Sequence, residues 1–79
     1  MLDRAAMERA FDAAERAFGT VTILINNAGI GYGGRAVEMP PEEWRRVLST
    51  NLDAVFFWAQ EAAKRLLAAK QKGAIVNIA

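Results

Sequence analysis

The tetrapeptide "NNAG" at residues 26–29 contains the first candidates for chemistry in this chain. It follows the apolar run at residues 23–25, so it lies where a buried strand ends and a loop begins. The Asn27 amide can donate and accept hydrogen bonds, and Ala28 and Gly29 are small enough for a ligand to approach the backbone. The alternative is a plain turn, because Asn and Gly both tolerate unusual backbone angles.

Asn51, in "STNLDAVFF", is the second candidate. It falls in the middle of a helical pattern, roughly 60° from the centre of the apolar face at 3.6 residues per turn. Asn is unfavourable inside a helix, and its amide needs partners if it is buried. A structural account is a helix kink in which the side chain bonds to the backbone. A functional account is a polar group that holds a water molecule in an active site.

A helix and a strand precede the first candidate site. Asp3 can cap a helix that ends at Gly19, after Phe18. Its apolar residues recur at steps of three and four and form one stripe: Met7, Ala10, Phe11, Ala14 and Phe18. The segment "VTILIN" then has a continuous apolar run, which is typical of a parallel strand covered on both faces.

A long helix, from about residue 42 to residue 70, carries the second candidate. It follows a Gly-rich loop, with Pro40 and Pro41 at its start. Its apolar arc, of roughly 200°, is wider than that of an ordinary surface helix and is centred on six residues: Leu48, Leu52, Val55, Ala59, Ala62 and Leu66. Phe57 lies on the opposite side. The i,i+4 pairs Glu42–Arg46 and Glu61–Arg65 predict a solvated face there.

The last strand is predicted at residues 74–78, after Gly73. The order is therefore helix, strand, helix, strand, and its last three elements form a βαβ unit with a right-handed crossover expected. This predicts an α/β fold, a partial Rossmann-like doubly wound parallel sheet. Two strands cannot cover their own faces, so we expect further neighbours. Asn77 is expected to end the strand pairing.

Composition excludes several functions. The 79 residues are 53% hydrophobic, and Lys plus Arg (10) nearly balance Asp plus Glu (9), giving +1. Scattered charges do not form a nucleic-acid footprint. There is no Cys and no His, so we expect no disulfide and no metal site. No apolar run is long enough to span a membrane. A cytoplasmic protein is expected.

Three segments together resemble the short-chain dehydrogenase/reductase family. "ILINNAG" is similar to the Asn-Asn-Ala-Gly strand end of that family, "EEWRRVLSTNLDAVFFWAQEAA" to the long helix with its catalytic-tetrad Asn, and "GAIVNIA" to the strand that follows. The resemblance covers the whole chain, and the motifs occur in the order and at the spacing of the family.

The resemblance implies roles for the candidate residues. Asn27, Ala28 and Gly29 would lie near the adenosine ribose of a nicotinamide cofactor, NAD or NADP, and Asn27 would also stabilise the central sheet. Asn51 would be the tetrad Asn, whose main chain at the helix kink holds a water molecule of the proton relay. A hydride would pass between the nicotinamide and a small-molecule carbonyl or alcohol.

Several family features are not found in these 79 residues: the Gly-rich cofactor loop, the first strands and the Tyr-x-x-x-Lys pair. Tyr32 does not supply that pair, because Ala36 stands four positions later. The catalytic Ser would be expected at the position after Ala79. We therefore expect residues 1–79 to be the central portion of a single NAD(P)-binding domain, and the isolated chain to be inactive.

An alternative is a non-catalytic module that self-associates, or binds another subunit, through helix 42–70. In the family that the chain resembles, this helix commonly packs against its copy in another subunit. The resemblance therefore implies a homo-oligomer. The wide apolar arc and Phe57 would suit that role. The competing account is that the arc only packs on the sheet and on a neighbouring helix.

Overall fold

Helices pack on one face of a two-stranded parallel sheet in the computed structural model, which describes residues 3–78. Ala79, beside which the catalytic Ser was expected, lies outside the described residues. The elements are α1 (Arg4–Phe18), β1 (Ile23–Asn26), α2 (Pro41–Leu48), α3 (Ala54–Ala69) and β2 (Ala74–Asn77), with a 3-10 turn at Ala36–Glu38 and a π-helical turn at Ser49–Asp53. This order confirms the predicted partial α/β fold.

Local chemistry fixes both ends of α1. The Asp3 carboxylate accepts a hydrogen bond from the Ala6 N–H at 3.0 Å, which satisfies a free donor of the first turn. The helix ends at Gly19, whose φ of +89° favours glycine. Met7 and Phe11 of the predicted stripe are buried, but Phe18 is 93% exposed because no described element packs against the last turn there.

The core joins α1, α3 and β1. Met7, Phe11 and Ala62 are buried, and four partly buried residues pack against them: Val21, Leu24, Phe57 and Trp58. The prediction that Phe57 lies opposite the apolar face was wrong, and the Arg4 guanidinium lies 4.4 Å from the centre of its ring. The difference arises because the buried Met7 and Phe11 of α1 pack on this side of α3, which the periodicity of the long helix alone does not show.

An ion-pair cluster on Arg65 ties α3 to α1. The guanidinium contacts Asp12 at 2.8 Å, Glu15 at 3.0 Å and Glu61 at 3.0 Å. Glu61 is only 7% exposed, so the prediction of a solvated face was wrong for the Glu61–Arg65 pair, whereas Glu42 and Arg46 are exposed. Burial lowers the pKa of the Arg65 guanidinium, but hydrogen bonds to the three carboxylates outweigh it and the pKa is raised.

The start of the long helix follows its predicted chemistry with one exception. Pro41 occupies the first helical position after Pro40, where its missing N–H costs nothing. Arg46 pairs with Glu43 at 2.7 Å and not with Glu42 as predicted. Residues three and four positions away both neighbour Arg46 on a helix, and the nearer one takes the contact. The hydrogen bond to Glu43 raises the pKa of Arg46.

The strands pair in parallel with Ile23 opposite Ala74 and Asn26 opposite Asn77. Ile23 and Ile25 are 63% and 60% exposed, because in residues 3–78 only one face of the sheet is covered. Gly73 lets the start of β2 lie close to the residue before β1. A Cβ at this position would lie 2.5 Å from the Thr22 carbonyl oxygen. The radius of gyration is 15.1 Å, against about 12 Å for a compact domain of this length.

Candidate functional site

The long helical region is interrupted at the candidate residue Asn51. In the π-helical turn at Ser49–Asp53, the Ala54 N–H donates to the Ser49 carbonyl, five residues back. Such turns are rare and often occur at functional sites. The structure therefore shows a backbone irregularity where the sequence allowed for a helix kink, and it places Asn51 on the exposed side of the turn.

The Asn51 side chain bonds to the loop that follows β1. Its Oδ1 accepts a hydrogen bond from the Ile30 N–H at 3.0 Å, and its Nδ2 donates to the Ile30 carbonyl at 2.8 Å. Both ends of the amide are thus satisfied by one residue that is 21 positions away in the sequence. This reciprocal pair fixes the loop after "NNAG" to the π-helical turn.

Asn27, Ala28 and Gly29 are exposed at the carboxyl end of β1. Within residues 3–78 the Asn27 side chain has no hydrogen-bond partner, so its amide is open to a ligand. A Cβ on Gly29 would meet only Asn51 Oδ1, at 3.6 Å, which is ordinary van der Waals contact. The two predicted sites therefore converge at one end of the sheet, where open α/β folds bind ligands.

Asn26 is the polar residue of this region that the sequence analysis did not single out. Its Nδ2 donates to Asn77 Oδ1 at 3.0 Å and, at 3.4 Å, to the Val55 carbonyl in the first turn of α3. Asn77 thus has a partner across the sheet, beyond its expected role of ending the pairing. An Asn at the end of each parallel strand was the signal that could have revealed this contact.

A cleft of about 270 Å³ lies beside β1. Its walls come from the strand and the loop after it, and from the π-helical turn and the first turns of α3: Leu24, Ile25, Asn26, Asn27, Ala28, Thr50, Ala54, Val55 and Trp58. None of these side chains is a carboxylic acid, an amine or a phenol. The cleft can therefore bind and position a ligand, but its walls supply no general acid or base.

Two further kinds of site are missing from the described part of the chain. Residues 3–78 contain no group of three His, Cys, Asp or Glu side chains that could hold a metal ion. In the same residues, no helix combines the length and the apolar character that crossing a membrane requires.

Comparison with known proteins finds a family model and several dehydrogenases that are similar to this chain. A sequence model described as "short chain dehydrogenase" matches residues 1–79. The chain is 42% identical over 79 residues to "NADP-dependent (R)-specific alcohol dehydrogenase" of Lentilactobacillus kefiri, covering 96% of this chain and 30% of that protein. It is 39% identical over 79 residues to "2-dehydro-3-deoxy-D-gluconate 5-dehydrogenase" of Escherichia coli (strain K12), covering 100% of this chain and 28% of that protein.

A third relative is "Meso-2,3-butanediol dehydrogenase" of Serratia marcescens, 35% identical over 77 residues. The match covers 98% of this chain and 30% of that protein. The chain therefore spans less than a third of the length of these three relatives.

Proposed function

The chain belongs to the short-chain dehydrogenase family, and from that premise we propose that it forms the cofactor-facing centre of a nicotinamide-dependent oxidoreductase. In this proposal residues 1–79 are the central portion of one NAD(P)-binding domain. The reaction is hydride transfer between the nicotinamide and a carbonyl or alcohol carbon of a small molecule. The relative from Lentilactobacillus kefiri, whose name gives NADP dependence, favours a cofactor of this class.

The reciprocal Asn51–Ile30 pair is the observation that carries the proposal. It holds a π-helical turn against the loop after β1, at the end of the sheet where nucleotides bind in open α/β folds. We assign Asn51 the catalytic-tetrad role: its main chain at the turn positions a water molecule for proton transfer. The side chain is then already occupied in fixing the loop.

The residues after β1 fit a nucleotide. Asn27 offers an unpartnered amide within the described chain, and Ala28 and Gly29 leave the backbone open to close approach. We assign these three residues to the adenosine ribose side of NAD or NADP. When bound, the cofactor supplies the hydride acceptor or donor. The chain supplies hydrogen bonds and a fixed loop.

The isolated 79-residue chain is proposed to be inactive. Proton transfer needs a positioned group with a suitable pKa, and the cleft walls provide none. A Tyr and a Lys from elsewhere in a complete enzyme would have to supply it. The proposed compartment is the cytoplasm.

A segment exchange tests this function. We would replace the matching 30% of the Lentilactobacillus kefiri alcohol dehydrogenase with this chain and assay NADP-dependent activity. We expect an active hybrid. Asn51→Ala in it removes both hydrogen bonds that hold the turn to Ile30, so the main chain no longer positions the water molecule, and we expect kcat to fall by about 10²-fold or more, in the range for lost proton-transfer catalysis. Asp53→Ala, in the same π-helical turn, is the control and should leave kcat unchanged. A folded hybrid in which Asn51→Ala keeps full kcat would contradict the assignment.

A second candidate is subunit association through the long helical region, within a homo-oligomer. Trp44, Leu52 and Phe56 on this region are 57%, 61% and 59% exposed. Phe57 no longer supports the idea, because it packs inside the chain. If these residues form an interface, Phe56→Ser should lower the molecular mass measured by sedimentation equilibrium, and the exposed control Lys64→Ser should not. Equal masses for both variants would remove Phe56 from any interface.

A further inference from the structure

Tyr32 is the one aromatic side chain in the loop that follows the candidate site. Residues 29–34 have the sequence "GIGYGG", so apart from Ile30 it is the only residue there with a side chain larger than a hydrogen atom. It is half-buried, whereas the glycines on both sides of it are exposed. Glycine gives a loop much conformational freedom, so an ordered ring in this stretch needs a contact that holds it.

Gly34 provides the contact that holds the Tyr32 ring. A Cβ on Gly34 would lie 2.9 Å from both Cε2 and the hydroxyl oxygen of Tyr32, so the ring lies directly against this glycine. Gly34 does not have a positive φ. The close approach of the ring, and not an unusual backbone angle, therefore accounts for glycine at this position.

The Asn51–Ile30 pair keeps the Tyr32 ring close to the candidate site. Asn51 holds the backbone of Ile30 with hydrogen bonds of 3.0 and 2.8 Å. Tyr32 follows Ile30 by two residues, which span at most about 7 Å. Residues 27–29, before this pair, are those proposed to contact the ribose of the cofactor. Tyr32 comes after the pair, and its side chain is therefore available to the substrate.

We propose that Tyr32 determines substrate specificity: its ring, held against Gly34, stacks on a flat aromatic group beside the reacting carbon, as in an aryl ketone or a benzylic alcohol. Residues 27–34 have no charged side chain, which favours an uncharged substrate. Aromatic rings prefer offset-stacked or edge-to-face partners, and this adds to the effect of the buried area. The inference rests on the proposed function, because the substrate reacts in the same site.

A matched pair of ketones tests the stacking. Phenyl methyl ketone and cyclohexyl methyl ketone have the same carbon skeleton, but only the phenyl group is flat and aromatic. We would measure kcat/KM for both in the hybrid with the Lentilactobacillus kefiri alcohol dehydrogenase. Tyr32→Leu should lower the phenyl-to-cyclohexyl ratio by about fivefold, mainly through KM, as expected for the loss of an aromatic pair. Tyr32→Phe, which keeps the ring, should leave the ratio unchanged.

Two glycine variants test the contact with the ring. Gly34→Ala places a methyl group against the ring, and the side chain can turn away at little cost to folding, so the ratio should fall as it does in Tyr32→Leu. Gly33→Ala is the control, since nothing lies within 4 Å of its Cβ, and it should leave the ratio unchanged. If Tyr32 only orders the loop, its variants should change kcat/KM equally for both ketones.

The outcomes separate this inference from the proposed function. An active hybrid whose ratio stays the same after Tyr32→Leu overturns the inference alone. If the hybrid folds without turnover, ligand-observed NMR measures the dissociation constants of both ketones, and a phenyl preference that Tyr32→Leu removes upholds the inference while the proposed function fails. Binding of neither ketone up to about 10 mM overturns both. If circular dichroism shows that the hybrid does not fold, exchange of residues 27–53 alone provides the same comparison.

Discussion

At the residue scale, two asparagines with similar chemistry have different tasks. Asn51 uses both ends of its amide on the backbone of Ile30, so it fixes a loop. Asn26 donates to Asn77 across the sheet and to the Val55 carbonyl of α3, so it joins the strands to the helix. Asn27 makes neither kind of contact within residues 3–78. Of the three, Asn27 therefore has the side chain that is most available to a ligand.

Arg65 should be important for stability, because it pairs with three carboxylates on two helices. Arg65→Met would leave the buried Glu61 carboxylate unpaired beside Asp12 and Glu15, and an uncompensated buried charge is strongly destabilising. We expect a loss of about 2 kcal/mol in the free energy of unfolding, since Asp12 stays partly solvated. Urea unfolding followed by far-UV circular dichroism measures it. Arg16→Met, which removes an exposed arginine of α1, should change it by less than about 0.5 kcal/mol.

The pH dependence of this cluster follows from the raised pKa of Arg65. A group whose pKa is higher in the folded state stabilises fully below its unfolded pKa and loses that effect as the pH rises through the folded value. Both pKa values lie above the working range of the protein, since an ordinary arginine stays protonated throughout that range. The Arg65→Met loss should therefore be the same at about pH 7 and pH 9. A loss that halves between them would contradict this account.

At the element scale, Gly73 controls how β2 joins β1. A Cβ there would lie 2.5 Å from the Thr22 carbonyl oxygen and 2.6 Å from the Leu66 side chain. Because the Thr22 contact is backbone, Gly73→Ala should destabilise by about 1–3 kcal/mol. Gly33→Ala is the matched control: nothing lies within 4 Å of its Cβ, and it should be neutral or slightly stabilising.

Thermal unfolding separates the two glycine variants, because 1 kcal/mol shifts Tm by about 4–8 °C in a domain of this size. We expect Gly73→Ala to lower Tm by at least that amount and Gly33→Ala to leave it unchanged or raise it. Equal Tm values would show that the strand can move away from Thr22 at little cost.

Elements that local chemistry determines were predictable from the sequence. The Asp3 cap, the Gly19 terminus and the Pro41 start were each signalled by residue types with one strong conformational preference. The π-helical turn was not predictable in form, because its extra residue is set by contacts such as Asn51–Ile30. Phe57 was assigned to the wrong face because the packing of α1 against α3 is a tertiary contact that the periodicity of one helix does not show.

The sequence predicted which residues form the candidate site, but not the hydrogen bonds that these residues make. Asn27 and Asn51 were identified from residue type and from the resemblance, and the structure brings their segments to one end of the sheet. The Asn26–Asn77 bond depends on strand register, which the single sequence does not fix. The Arg65 cluster depends on how α1 lies against α3, so its i,i+4 pair alone suggested a solvated face.

At the scale of the whole molecule, the described part of the chain has a small core. Three hydrophobic residues are buried among residues 3–78, Met7, Phe11 and Ala62, while residues as large as Phe18 and Leu67 are 93% and 79% exposed. The principal extents are 48 × 23 × 17 Å. One face of the sheet and one edge of β1 are open. Ligand sites that need walls on both sides of the sheet end are therefore only partly formed.

This incomplete site predicts weak cofactor binding by the chain. The loop at residues 27–29 offers one wall for a nucleotide, and most of the affinity of a nucleotide site comes from enclosing the ligand on several sides. We expect fluorescence titration of the 79-residue chain with NADH and NADPH to show no saturable binding up to about 1 mM, near −4 kcal/mol.

The Arg65→Met chain serves as a control in that titration, because a loosened fold exposes more apolar surface and should increase non-specific adsorption. A signal that rises in this variant would thus come from adsorption. Saturable binding by the original chain that Asn27→Ala removes would show that residues 27–29 form a nucleotide pocket without further walls. The proposal that a complete enzyme is needed for cofactor binding would then be wrong, while the assignment of Asn27 to the cofactor would be strengthened.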